Sequence, residues 1–224
     1  MTPRNRAEQL AAVASVSDPI RRALYDFVSH SSGPVGRDEA AEALGLARGT
    51  AAFHLERLVE SGVLEIEFHR RSGRTGPGAG RPAKLYRAAA AEVTASVPER
   101  HYDLAAELLS AAVDESDRTG DPIRASLERV SAEFGRDLGA AEGSLDSVLA
   151  STGYEPVDDE ADGLLLRNCP FHKLARNHTQ TICGANVALL QGAADGAGEC
   201  DRSIRFEPRD DGYCCVHVVP NTGA

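Results

Sequence analysis

The sequence predicts an α+β chain, and three observations carry that prediction. Residues up to about 90 read as short amphipathic helices followed by alternating strands, and residues 98–149 keep a helical period. The remainder, from about residue 151, mixes short strands with one long helix. Three parts follow: 1–92, a central helical region 93–150 that links or dimerises, and a small α/β segment 151–224. Charge divides along the same line. Residues 1–90 hold 13 Lys and Arg against 10 Asp and Glu, whereas residues 91–224 hold 11 against 24. The net charge of −10 therefore belongs to the C-terminal part, which stays soluble and is kept off polyanions, while the N-terminal part is mildly basic.

Composition narrows the class further. Hydrophobic residues make up 42%, enough for ordinary cores. No stretch approaches the roughly 20 consecutive apolar residues of a membrane span. Glu8, Gln9 and Ser15 interrupt any signal-peptide core, so no membrane partner and a cytoplasmic location are expected.

The first helix is expected from Asp18, a natural N-cap, to Val28, with Ile20, Leu24, Phe27 and Val28 on one face. Gly33-Pro34 stops it. A short helix then carries Ala40, Ala41 and Leu44 inward and closes at Gly45. A third spans about Ala47 to Glu60, with Ala51, Leu55, Leu58 and Val59 inward and Gly62 ending it. Two helices joined by a short glycine-containing turn make a helix-turn-helix. After Gly62 the period changes from helical to alternating: Leu64, Ile66 and Phe68 face one way, and Glu65, Glu67 and His69 the other. The segment KLYRA returns as the partner strand. Between them lies RRSGRTGPGAGRP, with four glycines and two prolines, which cannot pack a core. Six basic and no acidic residues occupy 68–87, so the hairpin tip reads as a basic wing.

A winged helix-turn-helix binds DNA by presenting small or polar side chains of its second helix to the major groove. Arg48, Gly49, Thr50, Ala52, Phe53 and Arg57 are the candidates on that face. Arg70, Arg71, Arg74 and Arg81 of the wing suit phosphate or minor-groove contacts, which add affinity and salt dependence but little sequence information. His54, beside Leu55 and Leu58, is read as a packing residue rather than a DNA contact. The stretch ARGTAAFHLERLVESGVLE, followed by GRPAKLYR, resembles the ArsR-like and DeoR-like winged-helix repressors over about residues 15–90. That resemblance implies homodimers on palindromic double-stranded operators and a transcriptional repressor's role.

From Pro98 to about Leu149 two helices are expected, broken at Gly120–Pro122. Their stripes are Tyr102, Ala105, Leu108, Leu109 and Ala112, then Ile123, Leu127, Val130, Phe134 and Leu138. Such stripes serve a dimer interface or pack on the neighbouring domain. Beyond them, Tyr154–Asp158 should pair with Gly163–Arg167, and Ser203–Glu207 with Tyr213–Val219. A helix runs from about Phe171 to Ala193, interrupted near Asn177.

All five cysteines fall after residue 168. Such clustering suggests ligation or redox chemistry before structural disulfides. Cys169 precedes a helix start, where backbone N–H groups favour a thiolate. Cys183 lies on the following helix, and Cys214 and Cys215 are expected on the last strand. Adjacent strand residues point to opposite faces, so one of the two is the expected ligand. Cys215 is favoured because it shares its face with His217. Converging thiolates suit Zn²⁺ or an iron–sulfur cluster, with His172, His178 or His217 as a further ligand. A reactive thiol pair, or cysteines packed as inert small hydrophobes, fits the same residues. Cys200 follows a Gly-rich loop and is the least constrained.

Cys169-Pro170-Phe171, a cysteine about a dozen residues on, and a cysteine near the C-terminus are together similar to the SufR-like group of iron–sulfur-responsive repressors. The resemblance implies a [4Fe–4S] cluster held by Cys169, Cys183 and one of Cys214 and Cys215, in a C-terminal sensor domain. The doubled cysteine and Cys200 depart from that pattern. A regulator answering to a small organic molecule, with structural cysteines and Zn²⁺ or no cofactor, is the alternative. Catalysis is not expected: Cys169 with His172 or His178 lacks an orienting group, and no phosphate-binding loop occurs.

Overall fold

A computed structural model describes residues 5–69, 82–159, 163–209 and 212–221. The chain forms two compact units, residues 1–96 and 97–224. The helices predicted between 93 and 150 lie within the second unit.

The first unit opens with a helix absent from the sequence reading, α1 (Arg6–Ser15). Asn5 caps it by accepting the Glu8 N–H, while the Glu8 carboxylate accepts the Asn5 N–H, each at 3.0 Å. Ala12 is its one fully buried residue, and the Ser61 hydroxyl donates to Ser15 at 3.0 Å. Next, α2 (Pro19–His30) begins at Asp18, whose carboxylate accepts the N–H groups of Ile20 and Arg21. Proline at the first helical position loses only an N–H that has no helical partner. The short β1 (Val35–Gly36) leads into α3 (Arg37–Ala43). Gly45 then turns with a positive φ of 62°, open to glycine at no cost, into α4 (Arg48–Glu60).

The hairpin β2 (Leu64–His69) and β3 (Ala83–Ala88) pairs Leu64 with Ala88 through His69 with Ala83. β1 adds to its free side, giving the antiparallel order β1-β3-β2. Leu24, Val28, Val35, Ala51, Leu55, Leu58, Leu64 and Tyr86 form the core. Phe68 departs from the expected inward set: it is 68% exposed.

In the second unit α5 (Tyr102–Thr119) ends at Gly120 and α6 (Ile123–Glu142) at Gly143. A short α7 (Leu145–Ser151) follows, capped by Ser144. The strands β4 (Pro156–Asp158), β5 (Leu164–Leu166), β6 (Arg202–Phe206) and β7 (Val216–Pro220) form an antiparallel sheet ordered β4-β5-β7-β6. Between β5 and β6 run α8 (His172–Asn177) and α9 (Thr179–Ala197), separated at His178. α9 is the central element. It buries Ile182, Leu189, Leu190, Ala193 and Ala194 in one cluster with Leu145, Val148, Leu149, Leu166, Val216 and Val218.

The contact between α6 and α9 corrects the expected α6 stripe. Ile123 and Phe134 are 50% and 41% exposed, whereas Ser131, Gly135 and Gly139 are buried. A Cβ on Gly135 would lie 2.0 Å from the Leu189 carbonyl oxygen, and one on Gly139 equally close to that of Ala193. Reciprocally, Gly192 and Gly196 approach the carbonyls of Ala132 and Arg136, at 2.2 and 2.1 Å for the same hypothetical atom. The helices meet backbone to backbone, the geometry that lets Cα–H groups contact carbonyl oxygens. Glycines make that contact, so Ile123 and Phe134 fall outside it, whereas Leu127 of the expected stripe is buried and Val130 and Leu138 pack against the cores.

Candidate functional site

Two sets of residues are candidates, one in each unit. In the first unit, α4 turns Ala51, Leu55 and Leu58 inward. This leaves Arg48, Gly49, Phe53 and Arg57 exposed, with Thr50 and Ala52 half-buried beside them. The six α4 residues singled out by sequence thus occur together on the side away from the core. Arg57 lies over the Phe53 ring, 5.4 Å from its centroid, and pairs with Glu60 at 2.8 Å. Arg48 pairs with Asp38 of α3 at 2.6 Å. Exposed pairs of this kind are worth about 0–1 kcal/mol, so either guanidinium can exchange its carboxylate for a phosphate or base. His54 is half-buried, packs edge-on to Phe53 at 5.2 Å, and has no hydrogen-bond partner at its buried Nδ1.

A tie that the sequence reading missed joins α4 to the hairpin. Glu56 accepts from Lys84 at 2.5 and 2.6 Å and from the Tyr86 hydroxyl at 2.6 Å. Burial alone would raise the Glu56 carboxyl, but the Lys84 and Tyr86 bonds outweigh it and hold it below its usual range. The Tyr86 phenol is pushed up, by burial first and by Glu56 second. Arg87 pairs across the strands with Glu65 and Glu67 at 2.6 and 2.5 Å. Two of the six basic residues counted along 68–87 are therefore neutralised locally. The other four, Arg70, Arg71, Arg74 and Arg81, lie outside the described residues.

In the second unit four of the five cysteines converge. Cys169 is held at the turn before α8, where the Phe171 N–H faces its sulfur. Cys183 sits on the buried side of α9. Cys214 and Cys215 precede β7 rather than lying in it, so strand alternation does not govern them. Backbone bonds fix them instead: the Cys214 N–H donates to Leu166 at 2.7 Å, and the Cys215 carbonyl accepts from Glu207 at 2.8 Å. Both sulfurs consequently join the group. Cys214 hydrogen-bonds to Cys169 and Cys183 to Cys215. Cys200 is exposed and stands apart.

The thiols are electrostatically unequal. Cys169 is held below its ordinary value, first by the hydrogen bond from Cys214, against burial, with the Phe171 N–H and the Arg100 charge assisting. Cys214 holds the proton of that pair and is raised, first by the same bond and then by burial. Cys183 is pushed up to about 12, by burial and then by the neighbouring Cys215 and Cys169. Tyr154, wholly buried next to them, is raised by burial and by the Cys214 and Cys169 sulfurs. It donates to the Asn186 side-chain oxygen, and the Asn186 amide donates to the Cys214 sulfur at 3.8 Å. Neither Tyr154 nor Asn186 was legible as a site residue. The available signal was an asparagine amid the apolar residues of a helix, which must find partners if buried.

None of the three candidate histidines joins the thiols by a hydrogen bond. His172 and His178 are exposed. His217 is buried between acids, its Nδ1 3.1 Å from Glu207 and its Nε2 3.2 Å from Asp159, the latter off the line of a hydrogen bond. Among the described residues, no set of three or more His, Cys, Asp or Glu side chains is laid out to hold a metal ion.

Burial orders the reactivity of the thiols. In metal-free native protein, iodoacetamide is expected to alkylate Cys200 first, and Cys183 and Cys214 last, since these two are 2% and 4% exposed and hold their protons. Peptide mass spectrometry against time checks the order; Cys214 reacting as fast as Cys200 would refute the convergence.

Among the described residues no helix is long and apolar enough to cross a membrane. No curated protein matched the chain in sequence. Residues 16–67, which run from just before α2 to Glu67 within β2, match the helix-turn-helix domain family. That match supports a helix-turn-helix DNA-binding domain in the first unit.

Proposed function

We propose that the protein is a cytoplasmic transcriptional repressor, a homodimer on palindromic operators, whose DNA affinity is set by a thiolate centre in its C-terminal unit. The observation that carries the sensing half is the convergence of Cys169, Cys183, Cys214 and Cys215. In the DNA-binding half, α4 is the recognition helix and the β2–β3 hairpin the wing. Arg48, Phe53 and Arg57 stand on the exposed face, and the Glu56–Lys84–Tyr86 tie holds that helix against the hairpin.

The residue types suit an iron–sulfur cluster, the group implied by the resemblance to SufR-like repressors: soft sulfur ligands, with a backbone N–H and a cation facing Cys169, although the four thiols are not laid out as a metal site here. Cys169, Cys183, Cys214 and Cys215 would hold it. When bound, such a cluster supplies a centre that answers to oxidants and to iron supply. The chain's own residues keep the sulfurs together and away from water, and the loss or gain of sulfur ligands changes how tightly α4 holds DNA. The apolar crevice beside this centre, lined by Leu108, Leu127, Phe171, Ile182 and Leu189, leaves about 10 Å³, space for one water and not for an organic effector.

The test is the iron, sulfide and zinc content of protein purified without oxygen, followed by fluorescence anisotropy on DNA selected from a random pool. Iron with sulfide, and DNA affinity that changes on their removal, is the expected result. Arg48→Ala should weaken binding by about 1–3 kcal/mol if Arg48 reads a base, or lower the salt slope by about 1 if it holds a phosphate. Metal-free protein with unchanged regulation in Cys169→Ser and Cys183→Ser would overturn the sensing half and leave the DNA half standing.

A further inference from the structure

Between the start of α3, the start of α4 and the β2–β3 hairpin lies an open cleft of about 530 Å³. Gly36, which adds no side chain, Arg37, Asp38, Arg48, Phe68 and Lys84 are among the residues lining it. Phe68 shares a strand face with Leu64 and Ile66, yet it stands 68% exposed on the cleft wall, where burial contributes little. Asp38 stands between two arginines that come from different helices. Its Oδ1 is 2.6 Å from Arg48 Nε and 3.8 Å from Arg37 Nε, and all three side chains are more than half exposed. One exposed anion thus occupies the point where two guanidinium groups converge. The neighbouring acids are engaged elsewhere: Glu39 accepts the Gly36 N–H at 3.3 Å, and Glu56 accepts from Lys84 and Tyr86.

We propose that this cleft seats a phosphate of the DNA backbone, with Asp38 holding the phosphate's place in the free protein. The inference rests on the DNA-binding reading of the first unit and deepens it. Arg48 holds a phosphate rather than a base, Arg37 joins it from α3, and Phe68 covers the adjoining deoxyribose. DNA displaces Asp38 readily, because an exposed carboxylate–guanidinium pair contributes little in water. A phosphodiester gains more from the same cations: each one it binds releases a counterion, and a guanidinium fork can meet it with two hydrogen bonds. Such a seat carries no sequence information. It fixes the register of α4 in the groove, since the cations come from two helices. Asp38 subtracts from the affinity for any duplex, so DNA that does not fill the seat is released.

The experiment follows fluorescence anisotropy of the full-length protein, across a salt series, on selected DNA and on a duplex of random sequence. Arg37→Ala and Arg48→Ala should each lower the salt slope by about 1 and weaken both duplexes alike. Phe68→Ala should weaken binding with the salt slope unchanged, because it removes no charge. Asp38→Asn keeps the shape of the side chain and removes its charge. It should tighten both duplexes, by up to about fivefold at low salt. A gain in affinity is a readout that misfolding does not produce. A wild-type salt slope in Arg37→Ala together with wild-type affinity in Asp38→Asn would overturn the seat and leave the DNA-binding domain standing. An Arg48→Ala variant that loses preference at a single base pair would overturn it too, since Arg48 would then read a base. Wild-type protein that binds neither duplex would overturn the DNA reading and the seat together.

Discussion

Gly139→Ala should destabilise the C-terminal unit by about 3 kcal/mol, at the upper end of overpacking costs. The added methyl would meet the Ala193 carbonyl oxygen at 2.0 Å, and that oxygen belongs to a helix backbone which cannot swing aside. Relief requires α6 and α9 to separate along their whole contact, opening the space between Leu189, Ala193 and their neighbours. Gly192→Ala should behave alike, its methyl reaching the Ala132 carbonyl at 2.2 Å. Gly184→Ala on the same α9 is the control, because its methyl meets only the mobile end of Glu128 at 3.4 Å. Hydrogen-exchange mass spectrometry resolves the effect by segment: α6 and α9 peptides lose protection in the first two variants and keep it in the third. Equal protection in all three would refute the backbone-to-backbone contact.

In the DNA-binding unit, Leu55→Ala should cost about 2–5 kcal/mol, the range for emptying a fully buried leucine site. Leu55 is fully buried in the core between α2, α4 and the hairpin. Domains are stable by only about 5–15 kcal/mol in total, so much of this unit's margin is removed. Loss of DNA binding follows from loss of fold. Phe53→Ala, two residues away and 56% exposed, separates the two effects. Its stability should stay within about 0.5 kcal/mol of wild type, as for surface substitutions generally. Its DNA affinity should still fall, because Phe53 and the Arg57 stacked on it stand on the proposed reading face. Unfolding followed by circular dichroism, with anisotropy on selected DNA, checks both. Unchanged DNA affinity in folded Phe53→Ala would move the interface off this face of α4.

Much of the first unit was legible because its signals are local. Asp18, Gly45 and Gly62 mark helix ends through their own backbone and capping chemistry. The change from a period near four to a period of two at Gly62 marks the hairpin. The two missed elements were weak in those terms: α1 shows one buried residue, Ala12, and β1 is two residues long and exists only through β3. The second unit was legible as elements except for the short α7, which was read as the end of the preceding helix, but not as packing. Its strands and the break at His178 follow from turns and alternation, whereas the face on which α6 docks does not.

The cysteine group shows the same division. By itself the sequence determined that a helix-turn-helix lies near the N-terminus and that the thiols lie in the other half. Periodicity, caps and composition are properties of neighbouring residues. Only the tertiary structure decided which helix faces meet, through glycines that carry no hydrophobic signal. It also decided that Cys214 and Cys215 both reach the thiol group, through backbone bonds to Leu166 and Glu207 that form when separate strands come together. Asn186, which bonds to Cys214, and Tyr154, which bonds to Asn186, come from segments 28 and 60 residues away from Cys214 in the chain. No local pattern encodes contacts at that separation; closing the core around α9 creates them.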